Sequence, residues 1–140
     1  MPRINIELTQ PEFGFSATDE GGIVVKMDNS KIGGGQGFGI SPMQNLLASL
    51  GGCSGIDIVS ILRKQRQNFT GIRMEIDGER EKGKEPALWQ KVHIDFYISG
   101  EVEVAKANHA VGLSIDKYCS VAETLRRAGC EITWELFIED

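Results

Sequence analysis

The sequence predicts an α+β fold with mainly antiparallel sheets in the order βββ-α-ββ-αα-β. Three observations carry that prediction. The first thirty residues alternate apolar and polar with turn residues between, as antiparallel strands with one wet face do. A long apolar segment, Ser41 to Gln67, then has the length and composition of a helix. After it come two more alternating stretches, a helical stretch and a final alternating stretch, so strands and helices are segregated.

Ile4, Ile6 and Leu8 mark the first strand, Phe13, Phe15 and Ala17 the second, and Ile23, Val25 and Met27 the third. Gln10-Pro11 and Asp19-Glu20-Gly21-Gly22 supply the turns. Asn29 to Ile40 contains the run GGGQGFG at Gly33–Gly39. It carries no Gly-Lys-Ser/Thr and no G-x-G-x-x-G, so a mobile loop or lid is expected rather than a phosphate loop. Ser41 is a helix N-cap and Pro42 suits the first helical position. Arg63, Lys64 and Arg66 fall in the last turn, where the helix dipole favours them. Leu46, Leu47, Ala48, Leu50, Ile56, Ile58, Val59, Ile61 and Leu62 surround the helix, which predicts burial on several sides. Ala48, Gly51, Gly52 and Gly55 make a small-residue face for a close neighbour, unless Gly51-Gly52 breaks the helix.

Ile72, Met74 and Ile76 alternate as the fourth strand, and the charged stretch Asp77–Pro86 leads into an exposed turn. Val92, Ile94, Phe96 and Ile98 form the fifth, with Trp89 near its start and Gly100 at its close. Glu101 to Gly129 reads as helical with a bend between Gly112 and Asp116; Val104, Ala107, Val111 and Ile115 share one face. Cys130, Ile132, Trp134, Leu136 and Ile138 make the last strand.

At 140 residues the chain is expected to be one domain, residues 1–140. No run looks long and apolar enough to span a membrane, and the N-terminus lacks a signal-peptide layout, so a cytoplasmic protein is expected. A net charge of −5 with scattered Lys and Arg argues against a nucleic-acid partner. Cys53, Cys119 and Cys130 are too few for a disulfide framework and too widely spaced for a zinc knuckle. With only His93 and His109 beside them, no metal and no organic cofactor are expected. The open alternatives are inert buried thiols or redox chemistry. His109 reads as a surface residue, His93 as pointing off the apolar face of its strand, Cys130 as structural, and Glu81–Glu85 as a solvated turn.

The segment SPMQNLLASLGGCSGIDIVSIL resembles the first cysteine helix of the OsmC/Ohr superfamily, and KYCSVAETL resembles its second cysteine segment. Asp57–Leu62, Glu79-Arg80 and Lys117–Val121 are most similar to the YhfA-like branch. The resemblance implies an intertwined homodimer with central long helices wrapped by sheets from both chains. It also implies a stress-response peroxidase, with Cys53 attacking an organic hydroperoxide, Cys119 resolving, and a dithiol reductant closing the cycle. Met43, Leu46 and Leu50 are the expected apolar lining. Where the family's peroxidases place a thiolate-holding glutamate this chain has Met43, followed by Gln44, and the turn at Asp19–Gly22 offers no arginine. A weak activity is therefore expected. Asp57, one turn after Cys53, needs a partner, and Arg80 is the first candidate and Arg3 the second. The rival reading is a non-catalytic module that binds a small apolar or thiol-bearing ligand in the same pocket.

Overall fold

The computed structural model describes residues 1–139 and shows the expected order of elements: β1 (Asn5–Gln10), β2 (Gly14–Thr18), β3 (Val24–Met27), α1 (Pro42–Lys64), β4 (Asn68–Arg80), β5 (Trp89–Glu101), α2 (Val104–Leu113), a π-helical turn (Ser114–Tyr118), α3 (Ser120–Arg127) and β6 (Glu131–Glu139). The described residues separate into two compact units, one up to Ala48 and one from Ser49 onward.

In the first unit β1, β2 and β3 form an antiparallel sheet in that order. Ile6 stands opposite Ala17 and Leu8 opposite Phe15, while Phe15 faces Met27 and Ala17 faces Val25. The alternation thus gathers one apolar face, because side chains of period two meet their cross-strand partners on the same side. That face is open: Ile6 is 60% exposed and Leu8 53%. The Gly33–Gly39 loop is not the free lid the glycines suggest. Asp28, 4% exposed, accepts the Asn29 amide on Oδ1 at 2.7 Å and the Gln36 and Phe38 amides on Oδ2 at 3.0 and 3.1 Å. Three amides on one carboxylate pin the loop and hold that carboxyl below its usual range.

Helix α1 begins as its sequence dictates, with the Gln44 amide on the Ser41 hydroxyl at 3.3 Å. It runs unbroken through its glycines. They are used at a crossing with β4: a Cβ at Gly51 would stand 3.0 Å from Ile76 Cδ1, and one at Gly55 2.8 Å from Met74 Cε. Within the single chain one expectation for this helix is met only in part, and a second fails. Its buried residues are Leu50, Gly51, Ser54, Ile58 and Leu62, a single stripe at spacing near four, while Ile56 is 72% exposed. The chain's own elements leave the side of Gly52 and Ile56 uncovered. The helix is also long and apolar enough to cross a membrane by length and composition, with a mean hydropathy of 1.5. Its glycines and serines disguise this, since they interrupt the run without adding charge. Its buried stripe and its glycine crossing show that it packs against protein.

In the second unit β4 and β5 pair antiparallel over nearly their whole length, and β6 pairs parallel to β5. Pairing is mainly antiparallel as expected, with β6 the parallel exception. The two-helix crossover returns the chain to the starting end of β5, where only a parallel strand can be added. Val92, Ile94, Phe96 and Ile98 of β5, with Ala107, Ala110, Val111, Ile115, Ala122 and Leu125 of the crossover, form the core. The helical stretch starts at Val104 rather than Glu101. Glu101 ends β5, and Glu103 caps α2 with its amide held by the Gln67 side chain at 2.8 Å.

Candidate functional site

The two remote cysteines meet. Cys53 lies mid-way along α1, part-buried, and Cys119 lies at the N-cap of α3, buried. Both are free thiols, and the Cys53 thiol neighbours that of Cys119 closely enough to perturb it. Burial, more than any other cause, pushes the Cys119 thiol up to about 11, the Ala122 amide works against that rise, and the neighbouring Cys53 thiol adds to it. At neutral pH Cys119 is therefore protonated, a weak S–H donor beside the more exposed sulfur of Cys53.

Local structure explains the meeting. The crossover widens into a π-helical turn in which the Cys119 amide donates to the Ser114 carbonyl at 2.7 Å, five residues back. The Cys119 sulfur then accepts the Ala122 amide at 3.4 Å and starts α3. The sequence suggests a bend at Gly112–Asp116 but gives no sign of its π geometry. Ser114 and Ser54, both fully buried, adjoin the candidate site, and sequence reasoning misses them. The Ser114 hydroxyl is shared between the Ser54 carbonyl at 3.0 Å and Asp57 Oδ2 at 3.2 Å. A small hydroxyl residue beside each cysteine segment is the only trace this leaves in the sequence.

The expected Asp57–Arg80 pair is not made within the chain. Asp57 takes its hydrogen bond from Ser114. Arg80, at the end of the 13-residue β4, donates to the Ala87 carbonyl from Nε at 3.2 Å and Nη2 at 2.9 Å, and lies over the Trp89 ring at 5.8 Å. Spacing on a helix identifies the face of Asp57 but not which strand end reaches it. Arg3 is exposed ahead of β1. Of the expected lining residues, Met43 is part-buried, Gln44 and Leu46 are exposed, and Leu50 is fully buried in the core. Among the described residues no hydrogen bond or ion pair brings an arginine, lysine or glutamate to Cys53.

Away from the thiols, His93, Asp95 and Glu135 on the outer face of the second sheet present donor atoms within 4.8 Å of one another. Both ring nitrogens of His93 are engaged, Nδ1 with Thr133 Oγ1 at 2.7 Å and Nε2 with Asp95 Oδ1 at 3.0 Å. His93 thus points off the apolar face as expected, into a polar surface network. His109 is exposed on α2, and Cys130 is buried just before β6.

Comparison with known proteins agrees with this architecture. Protein YhfA of Escherichia coli K12 is 40% identical over 89 residues, which cover 63% of this chain and 66% of that protein, just under two-thirds of its length. The crystal structure of a hypothetical protein from Aquifex aeolicus VF5 superposes with a TM-score of 0.81 at 31% identity, covering 100% of this chain and 98% of that one. A Legionella pneumophila structure described as an organic hydroperoxide resistance protein OsmC, a predicted redox protein, shares the fold with a TM-score of 0.71 at 14% identity, over 97% and 96% of the two chains. Residues 33–135 match the family model for OsmC-like proteins, and both cysteine segments and the whole of α1 lie within that span; the chain belongs to the OsmC-like family.

Proposed function

We propose that this chain reduces organic hydroperoxides through a Cys53/Cys119 pair, and that it does so as a soluble homodimer in the cytoplasm. The meeting of the two thiols is the observation that carries the reading. The Cys53 thiolate attacks the terminal peroxide oxygen, the O–O bond breaks, and Cys53 becomes a sulfenic acid while the departing alkoxide takes from water the proton that the thiol had released and leaves as the alcohol. The Cys119 sulfur then displaces hydroxide from Cys53, its own proton completing a water molecule, and a dithiol returns the disulfide to two thiols. The name of the Legionella relative supports the substrate class. The uncovered apolar face of β1–β3 and the open sides of α1 support a second copy as the partner. A hollow of about 730 Å³ lined by Gly51, Gly52, Ile56, Val59, Ile72 and Met74 is where it would dock.

The first turn of α1 holds no acidic residue, and among the described residues no ion pair or hydrogen bond brings a cation to Cys53, which supports a low rate or, as the second reading, ligand binding without turnover. Counting free thiols before and after cumene hydroperoxide separates the two. The peroxidase reading expects two of the three thiols to disappear in the intact protein and none in Cys53→Ser. An unchanged count, with equal peroxide consumption by both proteins, refutes it in favour of binding.

A further inference from the structure

The backbones flanking the two cysteines are joined through a single side chain. Ser54 follows Cys53, and Ser114 opens the π-turn that delivers Cys119. The Ser114 hydroxyl donates to the Ser54 carbonyl at 3.0 Å, and the Ser114 carbonyl accepts the Cys119 amide at 2.7 Å. Asp57 Oδ2, at 3.2 Å, is the second acceptor for the same hydroxyl. The Ser54 hydroxyl turns back to the Leu50 and Gly51 carbonyls at 2.8 and 3.2 Å, so Ser54 meets the crossover through its carbonyl and the Ser114 hydroxyl.

We propose that Ser114, held by Asp57, is a positioning residue that sets the approach of Cys119 to Cys53 and so the rate at which Cys119 captures a derivatised Cys53. The inference rests on the redox reading of the pair. An ordinary α-turn at this point would put the amide of Tyr118 on the Ser114 carbonyl. The π-turn puts that of Cys119 there instead, and the one-residue difference swings the following side chain by roughly 100° about the axis. Without the hydroxyl the hydrogen bonds that tie that widened turn to Ser54 and Asp57 of α1 are lost. Asp57 then keeps a part-buried carboxylate with no donor, which favours its movement toward water.

An aromatic disulfide such as dithionitrobenzoate reads the capture step without any peroxide. Cys53 attacks it and releases one thionitrobenzoate; Cys119 then attacks the mixed disulfide, closing the Cys53–Cys119 bond and releasing a second thionitrobenzoate and a proton. The first phase depends on reagent concentration and the second does not. Ser114→Ala should slow the second phase by about 10- to 100-fold, the scale expected for a misplacement near 1 Å, and leave the first phase unchanged. Asp57→Leu should slow the second phase likewise, whereas Asp57→Asn, which keeps an acceptor oxygen, should restore its wild-type rate. The Asp57 pair carries the test if Ser114→Ala does not fold. A lowered melting temperature with an unchanged second phase in the variants means a purely structural role and overturns the proposal. A wild-type protein with no second phase overturns the redox pair itself.

Discussion

Ile56→Asp tests whether a second copy covers α1. Ile56 is 72% exposed in the single chain, so an isolated protomer should tolerate the change within about 0.5 kcal/mol. A dimer built on the open side of the helix gives the opposite result. Full burial of an isoleucine contributes roughly 1.5–3 kcal/mol, and the exposed 72% of it corresponds to about 1–2 kcal/mol for each copy. Two copies lose about 2–4 kcal/mol, a weakening of dimerisation by about 30- to 700-fold even before the cost of burying a charge is added. Sedimentation equilibrium over a range of protein concentrations measures it directly. Wild type should be dimeric, and Ile56→Asp should be monomeric at concentrations where wild type is not. A monomeric wild type, or a variant that dimerises as tightly as wild type, refutes the reasoning.

The thiols and the pinned loop give two further tests. With Cys119 pushed up to about 11, its thiolate fraction should rise tenfold for each pH unit through pH 10, so its alkylation by iodoacetamide should climb log-linearly there; a plateau near pH 9 contradicts the shift. Asp28 is held below the ordinary carboxylate value of 3.8, so on acidification the unfolded chain takes up its proton first. The stability Asp28 contributes is complete above that value and drains away as the pH falls through the lower folded one. Asp28→Asn should flatten this acid limb and, at neutral pH, speed hydrogen exchange at the Gln36 and Phe38 amides; unchanged exchange at both would remove Asp28 as the pin.

Much of the fold is legible because its causes are local. Ser41 and Pro42 start a helix whatever surrounds them, and Val92, Ile94, Phe96 and Ile98 point one way from any strand. The cysteine pair is legible only through the family resemblance, since 66 residues separate the two positions. What stays hidden depends on the neighbour rather than on the residue. Apolar residues all round α1 show that cover is needed but not that one chain supplies a single stripe of it. Asp57 needs a partner, and its spacing from Cys53 cannot say whether that partner is an arginine on a strand or a serine on a crossover. Gly33–Gly39 looks free because the carboxylate that pins it, Asp28, precedes the glycine run. The parallel seating of β6 follows from where the crossover ends, which no period-two pattern records.

The middle of α1 ties these points together. Gly51 and Gly55 are one helical turn apart and lie against Met74 and Ile76 of β4. Cys53 and Asp57, also one turn apart, meet Cys119 and Ser114 of the crossover. Gly52 and Ile56 form the third such pair; a Cβ at Gly52 would meet nothing within 4 Å, and Ile56 stands open. Successive residues of a helix are set about 100° apart, so these three pairs point in three directions from the same two turns. Two of the directions are filled by the chain itself. The third borders the thiol-bearing one, since Gly52 and Ile56 are the immediate chain neighbours of Cys53 and Asp57. Whatever covers it becomes a wall beside Cys53 and, in the proposed reaction, would govern how a peroxide reaches the sulfur. The open side of the helix and the reactivity of the cysteine are thus one problem: a second copy seated there would supply the enclosure that a single chain leaves unfinished.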